Sequence, residues 1–135
     1  MMTLEEKSLL LKDLSQRLPY GVKVTTTNPA VKIGVISGIS IKNKISVETK
    51  DADIVFDCTE VKPYLRPMSS MTEEEIEEFE NFVFPSEEDE NGNYQTGVLE
   101  KNIPNYIDWL NSHHFDFRGL IEKGLALEAT KDMYK

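Results

Sequence analysis

The chain has 135 residues, 29% of them charged, and a formal net charge of -9. A chain of this length suffices for one domain with its own core, and its acidity argues against direct binding to phosphate backbones. The single cysteine, Cys58, excludes an internal disulfide and a multi-cysteine zinc site, and no apolar run approaches the roughly 18 residues of a membrane span.

The N-terminal segment, residues 1–19, is predicted to contain a helix over residues 3–17. Thr3 and Glu6 have the spacing of a capping box, and Pro19 ends the pattern. Acidic residues within the first six positions argue against a signal peptide, so we expect a cytoplasmic protein without membrane contact. The leucines expected on one apolar face are Leu4, Leu10, Leu11, Leu14 and Leu18.

Residues 20–67 are predicted to form an antiparallel β-meander, because short apolar and β-branched runs alternate there with tight polar turns. The connections are too short for parallel crossovers. Four or five strands of this length indicate an SH3-like barrel covered by the N-terminal helix. Gly34 or Gly38 is expected at a bulge, and Pro63 and Pro67 should exclude a helix or a central strand. The expected strands are 22–27, 31–36, 45–49 and 54–58. Residues 39–41 either continue the second strand or cross over, and residues 60–65 should form a last short strand or a 3₁₀ turn.

Residues 68–135 are predicted to be mostly helical. A helix over residues 72–84 should begin at a second capping box, Thr72 with Glu75, and bury Ile76 and Phe79. An acidic loop, residues 86–100, follows Pro85.

The last part of the chain is predicted to hold two more helices, residues 104–112 and a short one over residues 117–123 with Asp116 as its N-cap. Residues 125–129 should form a short strand that pairs with an edge of the barrel, and residues 130–135 should be frayed. The predicted fold class is therefore α+β, with residues 1–135 forming a single domain.

The negative charge is concentrated in residues 72–100, which contain 11 acidic side chains and no lysine or arginine. This segment suggests a surface that binds a protein with a basic surface, in one form a decoy for a nucleic-acid-binding protein. The alternative is a solvated helix face and loop that only keep the protein soluble. The candidate partner-binding residues are Glu73, Glu74, Glu77 and Glu78.

His113 and His114 are the only histidines and lie close to Asp116. One of them with Asp116 could act as a general base in a small hydrolase-like enzyme or join a metal site. The alternative is a histidine that interacts with the carbonyls of a helix C-terminus.

Residues 89–100 have partial calcium-loop spacing, with oxygen ligands at Asp89, Asn91, Asn93 and Glu100. The position that needs glycine is occupied by Tyr94, so a plain loop is the alternative. We expect no cofactor, and Cys58 is interpreted as a buried thiol because Asp57 and Glu60 flank it.

Three stretches of the sequence are familiar as a set: residues 9–14 with 17–22, residues 62–75, and residues 108–111 with 113–127. Together they resemble a group of short proteins encoded in gut Bacteroides genomes and in associated phages or mobile elements. The resemblance implies a bacterial or phage setting, and no function is established for that group. Residues 23–60 and the acidic loop lie outside it.

The leading hypothesis from the sequence is a non-enzymatic accessory or interaction protein of a bacterium or its phage. It would bind another protein through the acidic segment or through an open sheet edge. The histidine-based enzyme and the calcium-binding loop remain the alternatives, and the sequence specifies no oligomeric state.

Overall fold

A computed structural model of the chain describes residues 2–40, 42–83, 87–88, 94–95 and 103–134. Its helices are α1 (Leu4–Arg17), α2 (Glu73–Val83) and α3 (Ile103–Ser112), and short 3₁₀ turns span Leu18–Tyr20, Cys58–Glu60 and Met68–Ser70. Its strands are β1 (Lys23–Thr26), β2 (Gly34–Ile39), β3 (Lys44–Glu48), β4 (Asp53–Asp57), β5 (Val61–Leu65), β6 (Glu87–Glu88), β7 (Tyr94–Gln95) and β8 (Leu127–Glu128).

Helix α1 begins at the predicted capping box. The Thr3 hydroxyl accepts from the Glu6 amide at 3.1 Å, and the Glu6 carboxylate accepts from the Thr3 amide at 3.0 Å. Leu10 and Leu14 are fully buried, whereas Leu4 is 83% exposed. The buried stripe of the helix therefore begins later than the sequence pattern predicts.

The main sheet has six strands in the order β4-β3-β2-β1-β5-β8. Strands β1 to β5 pair antiparallel, as predicted, and β5 returns to the side of β1 after the four-strand meander. Strand β8 pairs parallel to β5, which is possible because α2 and α3 lie between them in the chain. The sheet is therefore mixed and open, with β4 and β8 at its edges in the described part of the chain, and its described strands do not close into a barrel. The predicted antiparallel pairing holds for the strands within residues 20–67, and the parallel strand comes from the C-terminal segment.

Pro63 lies inside β5, which has a strand on each side, so the prediction that it excludes a central strand is wrong. The Thr27 amide donates to the Glu60 carbonyl, and hydrogen-bonded and non-hydrogen-bonded residue pairs alternate from there along the β1–β5 ladder. Pro63 therefore lies at a non-hydrogen-bonded position, and its nitrogen points away from β1. On that other side, β8 pairs only with Tyr64 and Leu65. The missing N–H of the proline therefore costs the sheet no hydrogen bond.

Two glycines of β2 have different structural roles. The β2–β3 register shifts between Ile36 and Gly38, so the predicted bulge lies at Gly38. Gly34 is buried, and a β-carbon there would collide with the side chain of Val47. Glycine at position 34 therefore permits close approach of β2 and β3.

Helix α1 covers the sheet as predicted, and its leucines share one apolar cluster with the strands and the C-terminal segment. Cys58 is 1% exposed and free, which confirms the predicted buried thiol, and burial raises the pKa of that thiol. No helix in the described ranges is sufficiently long and apolar to cross a bilayer. The fully buried members of the cluster include Leu10, Leu14, Val22, Val24, Ile45, Val47, Val61, Leu65 and Leu120.

The C-terminal segment after α3 differs from the prediction. The chain from His113 to Ala126 forms turns, and the expected helix over residues 117–123 is not formed. Gly119 and Gly124 both have φ +74°, and the left-handed residue at 119 interrupts any helix over that range. Strand β8 confirms the predicted short strand, and the expected fraying is wrong for Tyr134, which is hydrogen-bonded to the sheet.

Candidate functional site

Helix α2 carries the candidate acidic surface, and its first turn has the predicted capping box. The Thr72 hydroxyl accepts from the Glu75 amide and the Glu75 carboxylate accepts from the Thr72 amide, both at 3.1 Å. The reciprocal bonds satisfy two amides that would otherwise lack partners at the helix end. The start of α2 is thus fixed by its own sequence.

Glu75 also anchors α2 to the sheet. Its carboxylate accepts two hydrogen bonds from the Arg66 guanidinium, at 2.7 and 2.6 Å. These bonds hold the pKa of Glu75 down at about 2, although partial burial opposes the shift. The Arg66 guanidinium lies 4.2 Å from the centre of the Phe115 ring. Glu75 is therefore paired and does not belong to the free acidic surface.

The same side of α2 packs on α3 through aromatic rings, because Phe79 lies one helical turn after Glu75. The Phe79 ring lies 5.2 Å from the Trp109 ring and 6.1 Å from the Tyr106 ring, measured between centroids. Trp109 donates its indole N–H to the Glu78 carboxylate at 2.9 Å. Because one side of the helix is held by both Arg66 and Trp109, the exposed carboxylates on its other side have a defined position.

The acidic face is defined here as Glu73, Glu74, Glu77 and Glu80, together with the neighbouring Ile76. The four glutamates are exposed and have no ion-pair or hydrogen-bond partner in the described part of the chain. Ile76 is 41% exposed, so the predicted burial of this residue is wrong. Glu78, the fourth predicted partner-binding residue, borders this face, but its carboxylate accepts a hydrogen bond from Trp109. The face therefore combines unneutralised carboxylates with one apolar side chain.

His113 is held at the end of α3 against Trp109. Its ring stacks on the indole with centroids 4.0 Å apart, and its Nδ1 lies 2.9 Å from the Trp109 carbonyl oxygen. This is the predicted interaction with a carbonyl near the helix C-terminus. The imidazole is therefore engaged by α3 itself.

His114 lies in a different environment. Its backbone has φ 63°, its ring is stacked on Tyr134 with centroids 3.6 Å apart, and it is 8% exposed. Burial, together with the nearby positive charge of Arg17, lowers the pKa of His114 to about 4. The ring is therefore neutral at physiological pH.

Asp116 uses its carboxylate to organise the turn that follows. One oxygen accepts from the Leu120 amide at 2.8 Å and the other from the Ile121 amide at 3.0 Å. No hydrogen bond in the described part of the chain joins Asp116 to His113 or His114. The described residues therefore do not show the predicted pairing of one histidine with Asp116 through a hydrogen bond.

Metal ligation has no structural support in the described residues, which contain no group of three or more histidine, cysteine, aspartate or glutamate side chains suited to an ion. Asp89, Asn91, Asn93 and Glu100, the candidate calcium ligands, lie outside the described residues. Strands β6 and β7, between residues 87 and 95, pair antiparallel.

A buried ionic network was not identified from the sequence. Asp13 and Arg17 are 0% exposed and joined at 2.8 Å, and Arg118 donates to the other Asp13 oxygen at 2.6 Å. Arg17 also donates to the Phe115 carbonyl at 2.6 Å. The spacing of Asp13 and Arg17 is a signal for a helical ion pair, but such a pair is expected on a solvated surface. The network links α1 to the C-terminal segment.

A cleft of about 590 Å³ lies between the end of β5 and the C-terminal residues. Its charged lining residues are Arg66, Glu75, Glu128 and Lys131, which balance one another, and Arg66 is already bonded to Glu75. The cleft therefore has no excess charge that would select an ionic ligand.

Together these features define the protein as an α+β domain with an open mixed sheet and an acidic helical face. The chain matches no protein-family model and shows no significant similarity to curated proteins or to solved structures. Function is therefore inferred from the geometry of the acidic face and the sheet.

Proposed function

We propose that this protein is a non-enzymatic accessory or interaction protein of a bacterium or its phage. It binds another protein, which has a basic surface, through the acidic face of α2. The observation that carries the proposal is the row of carboxylates Glu73, Glu74 and Glu77, which have no partner among the described residues and lie on a helix that is fixed to the rest of the molecule. Complementary charge accelerates encounter with such a partner and excludes acidic competitors.

Ile76 supports a protein partner over small counterions. It is 41% exposed among the glutamates, and an apolar side chain gains free energy only when a second surface removes it from water. Protein interfaces commonly combine an apolar centre with a charged rim. The acidic face has this arrangement on a small scale.

The anchoring of α2 also supports a binding role. Arg66 fixes Glu75, and Trp109 packs on Phe79 and donates to Glu78. A surface held in this way loses little conformational entropy when a partner binds. The buried, free thiol of Cys58 favours a reducing compartment, and we place the protein in the cytoplasm.

An SH3-like curvature of the five antiparallel strands is part of this proposal. The return of β5 to the side of β1, the 3₁₀ turn at Cys58–Glu60 and the bulge at Gly38 all favour a bent sheet. The open edge of this sheet is a second surface at which a protein segment could pair.

Affinity capture from a bacterial host extract, followed by titration of the purified partner, tests the role of α2. The triple variant Glu73→Gln, Glu74→Gln, Glu77→Gln should bind the partner about tenfold more weakly at low salt. Affinity for the unmodified protein should fall steeply as salt screens the charges, and that salt dependence should be smaller for the variant.

The matched control is Glu5→Gln, Glu122→Gln, Glu128→Gln, which removes the same charge from exposed sites elsewhere. It should keep most of the affinity, because its carboxylates lie outside α2. Equal losses in both variants, or binding that salt does not affect, would reject the acidic face as the binding surface.

A further inference from the structure

Strand β4 is an outer strand of the main sheet, and no other strand of the described residues pairs with its outer edge. Two hydrogen bonds fix its orientation: the Cys58 amide donates to the Asn43 carbonyl and the Thr49 amide donates to the Ala52 carbonyl, both at 3.1 Å. Backbone hydrogen bonds recur at every second residue pair of the β3–β4 ladder, so the N–H and C=O groups of Ile54 and Phe56 point toward β3. The backbone N–H and C=O groups of Asp53 and Val55 therefore point away from the sheet.

The side chains along this edge follow a pattern. Val55, at the centre of β4, is 63% exposed. Asp53 lies directly opposite Glu48 of β3, so two carboxylates face each other across the strands. At the other end, Asp57 lies opposite Lys44 and is 3.5 Å from its ammonium group. The edge thus has an apolar centre, a neutralised end at Asp57, and an acidic end at Asp53 that no basic side chain of the described residues neutralises.

A second copy of the chain is a poor match for this edge. Pairing over the full strand length about a two-fold axis would place Val55 opposite its own copy and Asp53 opposite the Asp57 of that copy. Like charges directly opposite one another destabilise a strand pair. A segment with a basic residue at that position would instead neutralise the Glu48–Asp53 pair.

We infer that the free edge of β4 binds an extended segment of another protein as an additional antiparallel strand. That segment has an apolar residue opposite Val55 and, two positions later in its sequence, a lysine or arginine opposite Asp53. Main-chain hydrogen bonds to Asp53 and Val55 provide affinity, and the two side-chain positions provide selectivity. This inference rests on the proposed function as a protein-binding module, but it concerns a surface distinct from α2.

A capped peptide, Thr-Gln-Thr-Val-Thr-Lys-Thr, is a suitable probe, and two-dimensional NMR of the full-length protein is a suitable measurement. Binding should shift the amide resonances of Asp53 and Val55 and slow hydrogen exchange at Val55. The same peptide with glutamate in place of lysine should bind at least about fivefold more weakly, because three carboxylates would then be adjacent.

N-methylation of the peptide tests the main-chain contacts without altering the protein. A methyl group on the valine amide removes the donor to the Val55 carbonyl and should weaken binding about fivefold or more. A methyl group on the following threonine amide, which points away from β4, should have a smaller effect. Equal effects of the two methyl groups would contradict strand addition.

Asp53→Lys should reverse the preference, so that the glutamate peptide binds better than the lysine peptide. Asp51→Lys, which makes the same charge change in the adjacent exposed turn, should retain the original preference. The proposal is overturned if millimolar peptide leaves the Asp53 and Val55 amides unshifted, or if both peptides bind equally. Self-association through Val55 would also overturn it. Because α2 is unmodified throughout, these outcomes are independent of the test of the acidic face.

Discussion

The hydroxyl of Tyr134 donates a hydrogen bond to the carbonyl of Tyr64 at 2.6 Å. The same hydroxyl accepts from the amide of Lys23 at 2.9 Å. In the β1–β5 register, Lys23 and Tyr64 would form the next backbone-bonded pair, and the tyrosine hydroxyl takes the place of that bond. Burial raises the pKa of Tyr134 to about 12. A residue near the end of the chain thus completes the ladder between two strands of the sheet.

Replacing Tyr134 with phenylalanine should lower the free energy of unfolding by about 1–2 kcal/mol, since the Lys23 amide and the Tyr64 carbonyl both lose a partner. Urea unfolding measures this change. Tyr20→Phe is the matched control, because Tyr20 is 36% exposed and should tolerate the loss of its hydroxyl. Equal stability of the two variants would show that the bridging hydroxyl contributes little.

Replacing Glu75 with glutamine should destabilise the protein by about 1–2 kcal/mol, a value reduced by the partial exposure of its pair with Arg66. The same change at Glu74, one residue earlier and exposed, should have little effect. Because folding lowers the pKa of Glu75 from 4.5 to about 2, its contribution is complete above pH 4.5 and is lost as pH falls through 2. Unfolding at several pH values should show the stability difference shrink over that interval. A constant difference would contradict the assignment.

Replacing Asp13 with alanine should cost about 3–5 kcal/mol, because Arg17 would remain fully buried without a counter-charge. Chemical denaturation measures the loss. The double variant Asp13→Leu, Arg17→Met should be more stable than the single variant, since it removes both charges and fills the space. If the double variant were no better, the buried charge would not be the cause of the loss.

The stability of the protein should decrease as pH falls from 6.5 to 4, because the unfolded chain protonates His114 in this range and the folded chain does not. The expected contribution is on the order of 2 kcal/mol. His114→Asn tolerates the left-handed backbone and removes the titrating group, so its stability should vary less with pH over this range. His113→Asn is the control. Because it keeps His114, it should retain the decrease of stability with falling pH that is due to His114. Thermal unfolding across this pH range distinguishes the two variants.

The sequence predicted the features that depend on residues close together in the chain. Both capping boxes, at Thr3 with Glu6 and at Thr72 with Glu75, are formed as predicted, because each needs only four consecutive residues in the right order. The antiparallel strands between residues 23 and 65 also follow from local alternation and short connections. The acidic character of α2 was predicted from the residue types of this segment alone.

The tertiary structure decided which of those surfaces are free and which are occupied. Glu75 is bound to Arg66 and Glu78 to Trp109, whereas Glu73, Glu74 and Glu77 have no partner within the described ranges, although all five occur in the same acidic run. No local pattern separates them, because the partners come from β5 and α3. The acidic segment is therefore evident from the sequence, but its free face is not.

Contacts between distant parts of the chain account for the remaining differences. Arg17 donates a hydrogen bond to a carbonyl 98 positions away in the sequence. The Tyr134 hydroxyl accepts a hydrogen bond from the amide of Lys23, which is 111 positions away. The parallel pairing of β8 with β5 and the turns around Gly119 likewise depend on where the C-terminal segment packs. Local propensity is a matter of fractions of a kcal/mol per residue, whereas burial and long-range hydrogen bonding each amount to about 1 kcal/mol or more, so packing determined these features.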